Sequence, residues 1–147
     1  MLYKKRLKET RLEKNIIQEE VATYLNISRS LYGRYEKEYL IMPIEHLIKV
    51  SYYYHVSIDY LFQLTEDKNY KANNNKLDKV KAGKRLKDWR KKNYLTQEKL
   101  ANILNTTQAV IATPFLYTIC KKYKISADYL LGIIDMIPIE EKSYTLA

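Results

Sequence analysis

The chain has very little cysteine, glycine or proline: one, three and three residues respectively in 147. A single cysteine excludes an intramolecular disulfide and is typical of a reduced compartment. So few glycines and prolines disfavour sheets joined by tight hairpins and favour packed helices. The sequence also lacks a long apolar run and an apolar stretch after Met1, so we expect no membrane span and no signal peptide. We therefore expect an all-α protein, with the cytoplasm as the default location.

The chemistry of an enzyme is also absent from the sequence. The two histidines, His46 and His55, have no cysteine, histidine or paired carboxylate at metal-ligand spacing. No glycine-rich phosphate loop or nucleophile–base–acid set can be assembled. We therefore expect no catalytic residues, no metal and no cofactor. Cys120 falls on the apolar side of a predicted helix, so it is expected to be a buried thiol.

Positive charge is abundant. The chain has 26 Lys and Arg against 17 Asp and Glu, a net charge of +9, which favours an anionic partner. From Thr65 to Lys92 the counts are 11 and 4, so much of the excess lies there. Two interpretations remain open for this segment: a basic arm that follows a DNA backbone, or a solvated linker and helix surface.

The stretch from Gln18 to Glu36 reads as two short helices joined by a sharp corner. The first helix has an apolar face at helical spacing, formed by Val21, Ala22 and Leu25. Asn26 tolerates the left-handed backbone that ends a helix, and Ser28 can cap the helix that follows. This pattern predicts a helix-corner-helix unit.

The second of these helices has two different sides. Its apolar side consists of Leu31, Tyr32 and Tyr35. The other side carries Arg29, Ser30, Gly33 and Arg34. Arginines beside small polar residues suit the major groove of DNA, although exposed arginines are also common on solvated helices. Gly33 costs the helix roughly 1 kcal/mol relative to alanine, so it indicates either close approach to a groove or a tolerated defect.

Three groups of residues carry a resemblance to a known family: Gln18-Glu19-Glu20-Val21-Ala22, Asn26-Ile27-Ser28 and Tyr35-Glu36. Over about Arg6 to Leu64 the chain resembles the Cro/C1-type (XRE) helix-turn-helix regulators, which implies a lambda-repressor-like domain of five helices. Ile17 departs from the pattern, because the family usually has a capping Thr or Ser there.

The resemblance also implies roles for individual residues. The residues expected to contact base edges are Arg29, Ser30 and Arg34. Those expected to contact phosphates are Gln18, Ser28 and Lys37. A structural ion pair is expected between Arg11 and Glu36, tying the first helix to the recognition helix.

The second half of the chain repeats the first. Arg85-Leu86-Lys87 matches Arg6-Leu7-Lys8 at a spacing of 79, whereas residues 122–130 match 53–61 at a spacing of 69. Ten residues, the counterparts of 34–43, are therefore missing between Ala112 and Thr113. We predict two lambda-repressor-like domains, the second lacking the end of its recognition helix and the following loop. The expected divisions are domain 1–64, linker 65–76, degenerate domain 77–134 and tail 135–147.

The missing segment has consequences for the second copy. It has Gln97, Gln108 and Ala109 where the first has Gln18, Arg29 and Ser30, so we expect that it does not read DNA. Arg90 matches Arg11 but has no counterpart of Glu36, and should turn to solvent or find another carboxylate. Thr113 is expected to cap the next helix. Apolar residues left partly bare, and so available to another chain, are expected to be Val110, Ile111 and Phe115.

The resulting expectation is a sequence-specific DNA-binding transcriptional regulator, most simply a repressor. It would read the major groove of double-stranded DNA with the helix Ser28–Glu36 and act as a homodimer, with the second copy as a candidate pairing surface. The alternative is a protein-interaction or antitoxin-like module that keeps the fold without regulating through DNA. A third interpretation gives the basic arm non-specific binding to nucleic acid.

Overall fold

The computed structural model describes residues 3–70, 75–96, 98–99 and 113–137. Within these ranges the regular secondary structure is helical and contains no strand. This confirms the expected all-α class. The helices are α1 (Tyr3–Glu13), α2 (Gln18–Leu25), α3 (Arg29–Glu36), α4 (Ile44–Tyr54), α5 (Ile58–Leu61), α6 (Lys79–Lys92), α7 (Thr113–Tyr123) and α8 (Ala127–Leu130).

Helices α1 to α5 surround one core. Helix α2 packs on α3 and α4, while α1 packs on α3 and α5. The core is filled by large, fully buried side chains that include Leu7, Leu47 and Phe62. The hydroxyls of Tyr32 and Tyr54 meet at 2.6 Å inside it, so the inner side of α3 is fixed by a hydrogen bond as well as by packing.

The predicted corner between α2 and α3 is confirmed. Asn26 has φ of 58°, the left-handed conformation expected after α2. The hydroxyl oxygen of Ser28 accepts from the N–H of Leu31 at 3.1 Å, and that of Ser57 accepts from the N–H of Tyr60 at 2.9 Å. Ile17 precedes α2 without a side-chain cap, as its apolar side chain predicts.

An arginine holds the segment after α5 in place. Nη1 of Arg6 donates to the carbonyls of Tyr60 and Thr65 at 2.8 and 2.7 Å. The guanidinium also stacks over the Tyr60 ring, 4.3 Å from its centroid. Further along, Tyr70 is half-buried and its ring lies against His55. The first six residues of the predicted linker, 65–70, therefore lie against the first five helices.

The same contacts recur in the second half of the chain. Nη1 of Arg85 donates to the carbonyls of Tyr129 and Ile134 at 2.6 and 2.7 Å. Its guanidinium stacks 4.1 Å from the Tyr129 centroid. These residues are the counterparts of Arg6, Tyr60 and Thr65 in the repeat. Helix α8 packs on both α6 and α7, and the two halves meet where α5 packs on α8.

Two expectations for the second half were wrong, and one was met in part. Phe115 is buried rather than bare, because α7 turns it into the core of its own chain with Leu116 and Ile119. The expectation for Arg90 was met in part, because its side chain is half-exposed while Nη1 donates to the carbonyl of Leu95 at 2.9 Å. Thr113 is the first residue of α7, and its hydroxyl donates to the carbonyl of Met42 in the first half of the chain rather than capping the helix.

Other expectations for this half have different outcomes. Cys120 is buried, as predicted. Gln97, Gln108, Ala109, Val110 and Ile111 lie outside the described residues. Within the described ranges no helix is long and apolar enough to cross a membrane.

Candidate nucleic-acid interface

The outward face of α3 collects the predicted reading residues on one side. At 100° per residue, Arg29, Ser30, Gly33, Arg34 and Lys37 fall within a sector of about 140°. The four side chains are exposed, and Gly33 is half-exposed. The sector carries three positive charges and one hydroxyl. Such a surface can meet an anionic, hydrogen-bonding partner along its length.

The opposite side of α3 is anchored in the core. Tyr35 is buried, and its hydroxyl lies 3.1 Å from Nδ1 of His46 on α4. Burial lowers the pKa of His46 and raises that of Tyr35, so at neutral pH both groups are uncharged and can share one hydrogen bond. This contact fixes the angle at which α3 presents its outer face.

Arg11 and Glu36 lie in contact and join α1 to the end of α3. Nε of Arg11 donates to Oε2 of Glu36 at 2.7 Å, and Nη2 donates to Oε1 at 3.1 Å. The remaining Nη1 donates to the carbonyl of Ile16 at 2.9 Å. Both side chains are buried. Hydrogen bonding to Glu36 raises the pKa of the Arg11 guanidinium above its ordinary value.

Gln18 has a structural contact that sequence reasoning missed. Its Nε2 donates to Oε1 of Glu36 at 3.1 Å, so the first residue of α2 is tied to the last residue of α3. The same side chain covers Gly33, where an added Cβ would lie 3.4 Å from Oε1 of Gln18. An amide nitrogen carries two hydrogens. One of these hydrogens bonds to Glu36, and the other can bond to a ligand.

The remaining predicted phosphate contacts lie at the two ends of α3. Ser28 is exposed, and its oxygen accepts from Leu31, which leaves its hydroxyl hydrogen free to donate outward. Lys37 is the exposed C-cap residue, with Nζ 6.0 Å from the centroid of the Tyr39 ring. Glu19 is exposed in the first turn of α2, and its charge opposes an anion there.

Nothing in the described residues resembles a metal centre, since no group of three His, Cys, Asp or Glu side chains is placed to hold an ion.

This arrangement of α2 and α3 defines a helix-turn-helix unit, and residues 7–61 match the helix-turn-helix family. The chain is similar to YobD of Bacillus subtilis (strain 168), named an uncharacterized HTH-type transcriptional regulator. They are 35% identical over 66 residues, which cover 45% of this chain and 59% of that protein. It is also similar to the HTH-type transcriptional regulator ImmR of the same organism, 42% identical over 57 residues, or 39% of this chain and 45% of ImmR.

The chain therefore spans between about half and three fifths of the length of these relatives. No solved structure matches it significantly.

Proposed function

We propose that the protein is a sequence-specific DNA-binding regulator of transcription that reads the major groove with the helix Ser28–Glu36. The observation that carries this proposal is the exposed basic sector of α3, which faces outward because the other side of the helix is buried. A rigid, outward-facing helix with arginines and a serine suits the width of the major groove. The match of residues 7–61 to the helix-turn-helix family supports the same function.

The proposal gives each exposed side chain a role. Arg29, Ser30 and Arg34 contact base edges, where arginine can bond guanine in bidentate fashion. Gln18, Ser28 and Lys37 contact phosphates and set the register of the helix on the duplex. Each of the three keeps a donor that its contacts in the structure leave available. Arg11 and Glu36 have a structural role, because they hold α3 to α1.

Repression is the proposed outcome of binding, because occupying an operator that overlaps a promoter is sufficient for it. The proposed partner is double-stranded DNA, and the proposed location is therefore the cytoplasm, where a bacterial regulator would meet it. The names of the two relatives support regulation of transcription.

The proposal also takes residues 77–134 as a degenerate second copy that does not read DNA, with 65–76 as linker and 135–147 as tail. The contacts of Arg85, which reproduce those of Arg6 on corresponding carbonyls, support a repeated unit. Pairing of two chains through this copy, as expected from the sequence, is the alternative to the pairing within one chain that is proposed below. The burial of Phe115 removes one of its reasons, since that side chain is already covered.

The alternative function, an interaction or antitoxin-like module, differs in what it requires of α3. A module that binds only protein has no need for Arg29, Arg34 and Lys37 on one exposed face. The two functions are therefore separated by whether that face binds a particular DNA sequence.

A mobility-shift assay tests the proposal directly. A duplex is first selected from a random pool with the full chain, and affinities for the selected and a random duplex are compared at two salt concentrations. Arg29→Ala and Arg34→Ala should each cost roughly 1–3 kcal/mol on the selected duplex and little on the random one. Lys49→Ala removes one exposed charge from α4 and serves as the matched control.

Two results would contradict the proposal. If no duplex is enriched by selection, the protein does not read sequence. If Arg29→Ala and Lys49→Ala weaken both duplexes equally, the α3 face contributes general charge, and the non-specific interpretation of the sequence is the right one.

A further inference from the structure

Two short helices from opposite halves of the chain, α5 and α8, cap each other through a pair of aspartates. The carboxylate of Asp128 accepts from the backbone N–H groups of Ile58 and Asp59, at 3.1 and 2.7 Å. In return, the carboxylate of Asp59 accepts from the N–H groups of Ala127 and Asp128, at 2.6 and 3.4 Å. It also accepts from the hydroxyl of Ser126 at 2.5 Å. Each helix thus supplies the other's N-terminal acceptor.

The residues of this contact occupy matching positions of the repeat. Ile58 and Asp59 correspond to Ala127 and Asp128 at the spacing of 69 residues. An interface is isologous when residue i of one unit contacts residue j of the other, and residue j of the first contacts residue i of the second. This is the kind of interface that joins identical subunits across a twofold axis. Two halves of one chain here make the contact that two copies of one unit would make.

The contact extends beyond the aspartates. The ring of Phe62, just after α5, lies 5.2 Å from that of Tyr117 on α7, edge to face. Nζ of Lys121 donates to the carbonyl of Gln63 at 3.2 Å. Apolar residues of both halves belong to a single buried cluster. Separating the halves would expose this apolar surface and strip two buried carboxylates of their donors, so the face of α5 is not free for a second chain.

The connection between the halves favours the internal contact further. Two surfaces joined by a short linker meet at an effective concentration on the order of millimolar. Another chain at micromolar concentration would compete for the same face at a large disadvantage. The second half also lacks two of the predicted reading residues of the first, because it has Gln108 and Ala109 where the first half has Arg29 and Ser30.

We propose that the second half covers, within the same chain, the surface around α5 through which two copies of the first half would pair. We call this surface the pairing surface. The protein is then an internal pseudo-dimer with one reading helix. It then binds DNA as a single chain and recognises one half-site rather than an inverted repeat. The statement about DNA rests on the proposed function, whereas the statement about internal pairing does not.

Mass measurement tests both parts with the full chain. Light scattering after gel filtration, from low to high micromolar concentration, should give the mass of one chain, 17.6 kDa. On the selected duplex, native mass spectrometry should give one chain per duplex, and adding an inverted second half-site should not tighten binding of the first chain. A two-chain mass in free solution would overturn internal pairing. Two chains bound cooperatively to an inverted repeat would overturn the single half-site.

Hydrogen exchange tests the pairing at residue level. In the wild-type chain, protection of the Ile58 and Asp59 amides should not change on dilution. Asp128→Ala should speed their exchange by about tenfold, the factor for one hydrogen bond, and Asp128→Asn, which keeps one acceptor oxygen, should have a smaller effect. Asp88→Ala, an exposed aspartate on α6, is the control and should leave these amides unchanged.

The outcomes separate the two proposals. Protection that falls on dilution, or that Asp128→Ala leaves intact in a folded chain, would overturn internal pairing. If Asp128→Ala does not fold, the wild-type dilution series still decides. Failure to bind any duplex would overturn the proposed function and leave the mass and exchange results valid for the pairing.

Discussion

Replacing Arg11 with alanine removes one partner of a buried ion pair and leaves the other in place. The carboxylate of Glu36, whose side chain is 3% exposed, would keep only the donor of Gln18 among the three hydrogen bonds described above. The carbonyl of Ile16 would lose its arginine donor as well. Breaking a buried pair in this way costs about 3–5 kcal/mol. We expect Arg11→Ala to lower the free energy of unfolding by that amount.

The repeat supplies a matched control in the same molecule. Arg90 corresponds to Arg11 and makes the corresponding bond, from Nη1 to the carbonyl of Leu95. Its contacts in the described part of the chain include no carboxylate. Arg90→Ala should therefore cost about 1.5–3 kcal/mol, as expected for one hydrogen bond from a charged group. The difference between the two variants measures the contribution of Glu36.

Urea denaturation followed by circular dichroism gives both free energies, provided that the slope with denaturant is unchanged. A double variant, Arg11→Ala with Glu36→Ala, should lose less stability than the sum of the two single variants, because it leaves no unpaired carboxylate. The reasoning would be refuted if Arg11→Ala costs no more than Arg90→Ala. Strict additivity in the double variant would refute it equally.

Three further predictions follow from other parts of the structure. Gly33→Ala should stabilise the protein by up to about 1 kcal/mol in thermal or urea unfolding, because position 33 lies inside a helix, where alanine is favoured over glycine. The added Cβ makes only an ordinary contact with Gln18. Weaker DNA binding by this more stable protein would show that the DNA groove approaches closely at position 33. Burial raises the pKa of both Asp59 and Asp128, so their contribution to stability is complete below the ordinary aspartate pKa of about 4 and is lost as pH rises through the raised values. Urea midpoints measured across pH should show this decline in the wild-type chain and a flatter profile in Asp128→Asn; parallel profiles would contradict it. Neutralising several lysines of the segment Lys76–Lys92 should reduce the salt dependence of DNA binding by about one unit of slope for each lysine that touches a phosphate, and an unchanged slope would identify the segment as solvated surface.

The features that sequence predicted well are local ones. The left-handed Asn26 and the capping Ser28 are found as expected, since a cap depends on residues within one turn. The division of α3 into a buried and an exposed side follows from helical periodicity.

Contacts between distant segments were less predictable. The sequence indicates Arg11 and Glu36 through family resemblance, but gives no sign that Gln18 joins them. Asp59 reads as an ordinary acidic residue in the first turn of a helix, which the helix dipole favours by itself. Its recurrence as Asp128 at a matching position was visible, yet which helix each aspartate caps depends on how the two halves pack.

The mutual capping of α5 and α8 has a consequence for synthesis. The amide of Ile58 bonds to a carboxylate 70 residues further along the chain. At ribosomal rates of about 5–20 residues per second, Asp128 is made on the order of several seconds after α5. During that interval the first five helices leave the ribosome with their pairing surface uncovered. Nascent chains on neighbouring ribosomes of one mRNA carry the same uncovered surface. In this interval two such chains can pair with each other, before the second half of each chain is made and covers the surface.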